Sequence, residues 1–70
     1  MKFILIITMC SSIYKTCMPP VQVKEVFNSH YECSHQGYTL SADIIKNLGE
    51  KQVNADRMYL SFSCKPVGSL

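Results

Sequence analysis

The chain has 70 residues, room for one small domain and no more, and its 47% hydrophobic and 17% charged content excludes a disordered polar tail. Lys24, Lys46, Lys51, Arg57 and Lys65 are scattered among Glu25, Glu32, Asp43, Glu50 and Asp56. There is no basic run, and so no general nucleic-acid or membrane-surface footprint.

In chain order, Met1-Lys2 reads as the short basic start of a secretory leader. Phe3 to Met9 follows as its apolar region, and Cys10-Ser11-Ser12 as the small residues before a cut. The expected cut is after Ser12, with Cys10 and Ser12 at the −3 and −1 positions. The apolar run is far shorter than the roughly 20 residues of a membrane span. A buried N-terminal strand is the competing reading, because Ile-rich runs also suit β-structure. With a leader at residues 1–12 removed, Cys17, Cys33 and Cys64 remain, an odd set that allows one disulfide and one free or intermolecular thiol. A domain this small gains little net stability from apolar burial alone, so a staple is expected.

Residues 13–25 read as an extended segment, stiffened at Met18-Pro19-Pro20 because proline neither donates to a ladder nor permits helix before it. The α+β domain is expected over 26–70. From Val21 to Cys33 the residues favour strand, with Val21, Val23, Val26, Phe27 and Tyr31, and from Phe27 the pattern alternates, with Phe27, Ser29, Tyr31 and Cys33 on one face. Ser34-His35-Gln36-Gly37 reads as a turn, and Tyr38-Thr39-Leu40 as the returning strand of a hairpin. Ser41 is then the expected N-cap of a helix, with Leu40 and Ile45 as a hydrophobic staple and Asp43 in the first turn. Ile44, Ile45 and Leu48 form its apolar stripe, and Gly49 ends it, or else it runs on to Gln52. Met58, Leu60, Phe62 and Cys64 alternate with Tyr59, Ser61 and Ser63 as the clearest strand, before Pro66 and Gly68 break the pattern. The order is hairpin, helix, strand: a small α+β unit.

Three constellations have the residue types for chemistry. His30, Cys33 and His35, with Cys17 or Cys64, carry zinc-type donors, but the spacing fits no paired knuckle and strand alternation sends His30 and Cys33 to opposite faces. Cys33 beside His35 has the makings of a nucleophilic pair, yet no third residue orients the histidine. Glu32 with His30 or His35 is an acid–base pair, and Arg57 is the one arginine available to stabilise a phosphorane. Exposed, solvated side chains are the simpler account of each. No catalytic residue, metal or cofactor is assigned.

Tyr31-Glu32-Cys33, followed by Gly37-Tyr38-Thr39-Leu40-Ser41-Ala42-Asp43-Ile44, resembles the opening of the ribonuclease-like secreted effector candidates of powdery mildew fungi. These carry a Tyr/Phe/Trp-x-Cys motif, then a hairpin and a helix opening on Ser-x-x-x-Ile/Val, and they are similar in fold to small fungal guanyl-preferring ribonucleases. The resemblance covers about residues 31–64. It implies that the motif cysteine, Cys33, bonds to the cysteine near the C-terminus, Cys64. Such a bond is worth about 3–4 kcal/mol in the chain-entropy model. Family members have several more strands after the helix, and those strands hold the catalytic glutamate, arginine and histidine of the active enzymes. The resemblance therefore implies a shortened paralogue or a truncated gene model, with no catalytic residue carried over and an exposed sheet edge.

The expectation is a secreted, non-catalytic effector with a ribonuclease-like core and one disulfide, extracellular or translocated into a host cell. It binds a host protein or RNA and has no stable membrane association. Tyr38, Tyr59, His35 and Arg57 are the candidate RNA or partner surface, with Tyr31 and Cys33 as the motif. The competing readings are an active ribonuclease using Glu32, His35 and Arg57, and an unrelated disulfide-stapled toxin or antimicrobial peptide. Weak charge and the lack of an amphipathic basic segment argue against membrane lysis.

Overall fold

The computed structural model describes residues 1–68. The chain runs through β1 (Lys2–Ser11), β2 (Thr16–Cys17), β3 (Val21–Phe27), α1 (His30–Leu48), α2 (Glu50–Asp56) and β4 (Met58–Val67). It is a small α+β fold, an antiparallel sheet with α1 packed on one face. Strand β1 is in the middle. It pairs with β4 along one side, from Lys2↔Val67 to Ser11↔Met58, and with β3 and β2 in succession along the other. Strands β3 and β4 are both antiparallel to β1, and the helices connect them, which makes a split βαβ arrangement.

The residues expected as a leader contain this central strand. The apolar region of a leader and a buried strand ask for the same residue types, and Phe3 to Thr8 satisfies both. In β1 alternate side chains turn to α1: Leu5 is fully buried, and Phe3 and Ile7 join it in the core with Phe27 and Cys33. Residues 13–25, expected as an extended entry, hold a tight connection, β2 and most of β3. Pro19 and Pro20 separate the two short strands because neither has an N–H for the ladder with β1. Between the pairs Ile6↔Gln22 and Ile4↔Val26, β1 has only Leu5 where β3 has Val23, Lys24 and Glu25, so β3 bulges.

The expected hairpin of residues 27–33 with 38–40 is not formed. The fold's hairpin is β1 with β2 and β3, and residues 30–48 are one helix. Ser29 is its N-cap: the Ser29 hydroxyl accepts from the Glu32 N–H at 3.1 Å, while the Glu32 carboxylate accepts from the Asn28 N–H at 3.1 Å. Ser-x-x-Glu of this kind satisfies two otherwise orphaned donors, and it outweighs the short alternation read around it. The buried side of α1 runs Cys33, Gly37, Leu40, Ile44, a helical spacing. Gly37 is therefore not a turn glycine. A Cβ built there would clash with the ring of Phe62, so the glycine lets the helix approach β4. Ser41, expected as a cap, lies mid-helix. Gly49 does end α1: at φ 91° it takes a conformation most residues avoid, and its N–H donates to the Ile45 carbonyl at 3.3 Å.

The structure joins Cys33 to Cys64, tying α1 to β4, and Cys10 to Cys17, tying β1 to β2. The single expected disulfide is thus two, because Cys10 is part of the fold. Among the described residues the buried apolar set is Leu5, Ile7, Cys10, Phe27 and Cys33, a small core for which covalent staples matter. In the chain-entropy model the longer loop contributes about 3–4 kcal/mol and the shorter one about 2–3 kcal/mol.

Two outcomes follow from this packing. Gly37→Ala is expected to destabilise by about 1–3 kcal/mol, since the methyl must displace Phe62. Thermal denaturation followed by circular dichroism reads the loss, and Phe62→Leu in the same chain recovers part of it. A polypeptide of residues 13–70 lacks β1, and its amide NMR spectrum is expected to be poorly dispersed while that of 1–70 is not. A well-dispersed 13–70 spectrum would mean that the domain folds without β1 and would return residues 1–12 to the role of a leader.

Candidate functional site

The expected surface residues fall into two groups. Tyr31 and His35, one turn apart on α1, stack with ring centroids 6.3 Å apart. Tyr38 is 72% exposed and sets its ring edge-on to Phe62 at 4.8 Å. Tyr38 and Tyr59 line one shallow cleft of about 530 Å³, and Tyr59 and Arg57 line a second of about 660 Å³, so Tyr59 joins the two. This face is open and mixed in character.

The residues proposed for chemistry are not brought together. Glu32 is held in the N-cap of α1. His30 lies at the start of the same helix, its ring 5.6 Å from that of Phe3, whereas the Arg57 carbonyl accepts from the Ser12 N–H at 3.2 Å at the far end of β1. From Phe3 to Ser12 the strand direction spans about 30 Å. An arginine at that distance does not serve an acid–base pair in the first turns of α1. Cys33 is bonded to Cys64 and buried, so it is neither a thiolate nor a metal ligand beside His30 and His35, although the helix, unlike the expected strand, puts His30 and Cys33 on neighbouring positions. Among the described residues no three His, Cys, Asp or Glu side chains are close enough to hold a metal ion.

The best-formed concavity lies elsewhere. Helix α1 packs over β1 and β4 more than over β3, leaving a strip of the sheet's inner face uncovered. Ile7 and Met9 of β1 and Leu60 of β4 make the floor of the resulting groove, and Leu40 and Ile44 of α1 make one wall. The other wall is the run from Met18 through Pro19 and Pro20 to Val21, with Val23 beyond. The volume is about 640 Å³, within the range of ligand-sized clefts. Every lining side chain is apolar. The groove has no side-chain donor or acceptor to activate a water, orient a polar ligand or bind a metal. It can exclude water from an apolar group and nothing more specific.

Sequence reasoning assigned Met18-Pro19-Pro20 to a stiff entry and missed its part in this wall. The only local signal is a methionine before two prolines. What makes it a wall is the hairpin's register, which holds Met18 against Met9 and Val21 against Ile7. Met18 is 60% exposed at the rim, and methionine's flexible thioether adapts to irregular apolar partners.

No family model matches the chain, and no curated protein or solved structure matches it. Tyr31-Glu32-Cys33 lies in the first turn of α1, not ahead of a hairpin as the ribonuclease-like pattern implies. No helix among the described residues is long and apolar enough to cross a membrane.

Ser41 is on the cleft shared by Tyr38 and Tyr59, and its hydroxyl is buried with no hydrogen-bond partner. Ser41→Ala removes that orphaned group. It is expected to raise stability by about 1 kcal/mol, read as a higher midpoint in urea denaturation.

Proposed function

We propose that this protein is a non-catalytic binding protein of an oxidising compartment, whose apolar groove buries bulky apolar side chains of a protein partner. The observation that carries this reading is the groove itself: a water-excluding cleft of about 640 Å³ with an all-apolar lining and an exposed methionine at its rim. A cleft without polar groups suits anchor side chains of a partner better than a small polar ligand, because nothing in it fixes a ligand's orientation.

Pairing of all four cysteines supports an oxidising setting, since such bonds persist outside the reducing cytosol. The resemblance of Tyr31-Glu32-Cys33 and its downstream residues to powdery mildew effector candidates supports a more particular setting: a secreted effector that binds a host protein. Ile7 and Met9 belong to the groove, so on this reading β1 remains part of the acting molecule. RNA is the second candidate partner, favoured by the exposed Tyr31, Tyr38 and Tyr59. The near-balanced charge argues against it, because single-strand binding draws most of its affinity from neutralised phosphates.

A random peptide library displayed on phage and selected on the oxidised protein tests the reading. Selected peptides are expected to share a bulky apolar residue and to lose affinity about tenfold on Met18→Glu, with the melting temperature unchanged. Single-stranded RNA binding, measured by fluorescence anisotropy, that falls on Tyr38→Ala and ignores Met18→Glu would overturn the groove in favour of the aromatic face.

A further inference from the structure

The two edges of the sheet differ in how they are protected. Strand β3 has the usual defences against pairing with another chain: Pro19 and Pro20 ahead of it, and a bulge containing Lys24 and Glu25. Strand β4 carries Lys65 and Pro66 near its end but no such defence over Met58–Cys64. That stretch, Met-Tyr-Leu-Ser-Phe-Ser-Cys, has no charge, no proline and no glycine, and it is regularly paired with β1 along its inner side. Among the described residues no strand pairs with its outer side.

We infer that the outer edge of β4 pairs antiparallel with β4 of a second copy, so that two sheets become one across a two-fold axis. Pro66 indicates which backbone groups are free. A proline is tolerated within an edge strand when its nitrogen faces away from the neighbouring strand. By alternation the N–H groups of Leu60, Phe62 and Cys64 face the same way.

The extent of the strand and its side-chain pairs select the register. With the axis at Ser61, the ladder shortens to Met58–Cys64 and leaves Lys65 unpaired, because Arg57, in a left-handed conformation, lies outside β4. With the axis at Ser63, Leu60 faces Pro66, so two of the four hydrogen-bonded pairs each lose a bond to the nitrogen that has no N–H. With the axis at Phe62, Tyr59 faces Lys65, Ser61 faces Ser63, and Leu60 faces Cys64. This register sets a lysine over a tyrosine ring and allows about six backbone hydrogen bonds between the copies. Helix α1 packs mainly over β1 and β4, so the two helices would stand about 10 Å apart, an ordinary helix–helix spacing. Tyr38, exposed on Phe62, lies at that seam. The apolar groove opens toward β3 and takes from β4 the side chain of Leu60, not the strand's outer backbone edge, so this inference does not depend on what the groove binds.

Sedimentation equilibrium of the oxidised full chain tests it. The unmodified protein is expected to form a reversible dimer. Ser61 and Ser63 are exposed, so replacing them leaves the core intact. Ser61→Lys with Ser63→Lys opposes like charges in the Phe62-centred register and is expected to raise the dimer Kd about tenfold or more. Ser61→Lys with Ser63→Glu opposes unlike charges there and is expected to restore dimerisation. A monomer at millimolar concentration for the unmodified protein would overturn the inference. So would a Lys/Lys variant that dimerises as well as the parent, or a Lys/Glu variant as monomeric as Lys/Lys.

Discussion

Strand β1 supplies a hydrogen-bonding partner to every other strand of this protein. Because β3 and β4 meet only through it, the sheet exists as long as β1 is in place, and α1 has a surface to pack on only as long as the sheet exists. The core reflects that dependence. Leu5 and Ile7 come from β1, while Phe27 and Cys33 come from segments that touch them. In a domain with so few buried side chains there is no second core to take over, and stability concentrates on one strand and two disulfides.

What the sequence revealed follows the strength of its local signals. Met58 to Cys64 alternates cleanly, and the structure makes it a strand with the even-numbered residues facing α1. Gly49 ends a helix for the backbone reason a glycine usually does. The first half of α1 was hidden because its buried side passes through Gly37, which a hydrophobicity pattern does not count. That position is small because Phe62 occupies the space, and that fact belongs to β4, not to the helix. The capping signal at Ser29 and Glu32 was legible but competed with an accidental alternation from Phe27 to Cys33. Residues 2–11 were ambiguous in principle, since leader and strand share a composition.

The candidate site was less legible than the fold, for a related reason. Tyr38, Tyr59, His35 and Arg57 were singled out as residue types, and the structure spreads them over an open surface with Tyr59 as the link. The groove, by contrast, is assembled from four elements, and none of its residues is chemically conspicuous. Its existence depends on where α1 sits across the sheet. That offset is set in turn by Gly37 against Phe62 and by the Cys33–Cys64 bond, both of which draw the helix toward β4 and away from β3. The same contacts that tighten one side of the molecule therefore open the other.

The Cys10–Cys17 bond has a consequence for the chain's continuity. It brackets the connection from Ser11 to Thr16, where Ser12, Ile13, Tyr14 and Lys15 are all exposed. Once the bond has formed, a protease that cuts after Ser12 separates the chain into two polypeptides without releasing the shorter one. The amino-terminal piece stays tethered through sulfur and threaded through the middle of the sheet. A new amino terminus at Ile13 and an intact central strand are thus compatible in one molecule, provided that oxidation precedes the cut.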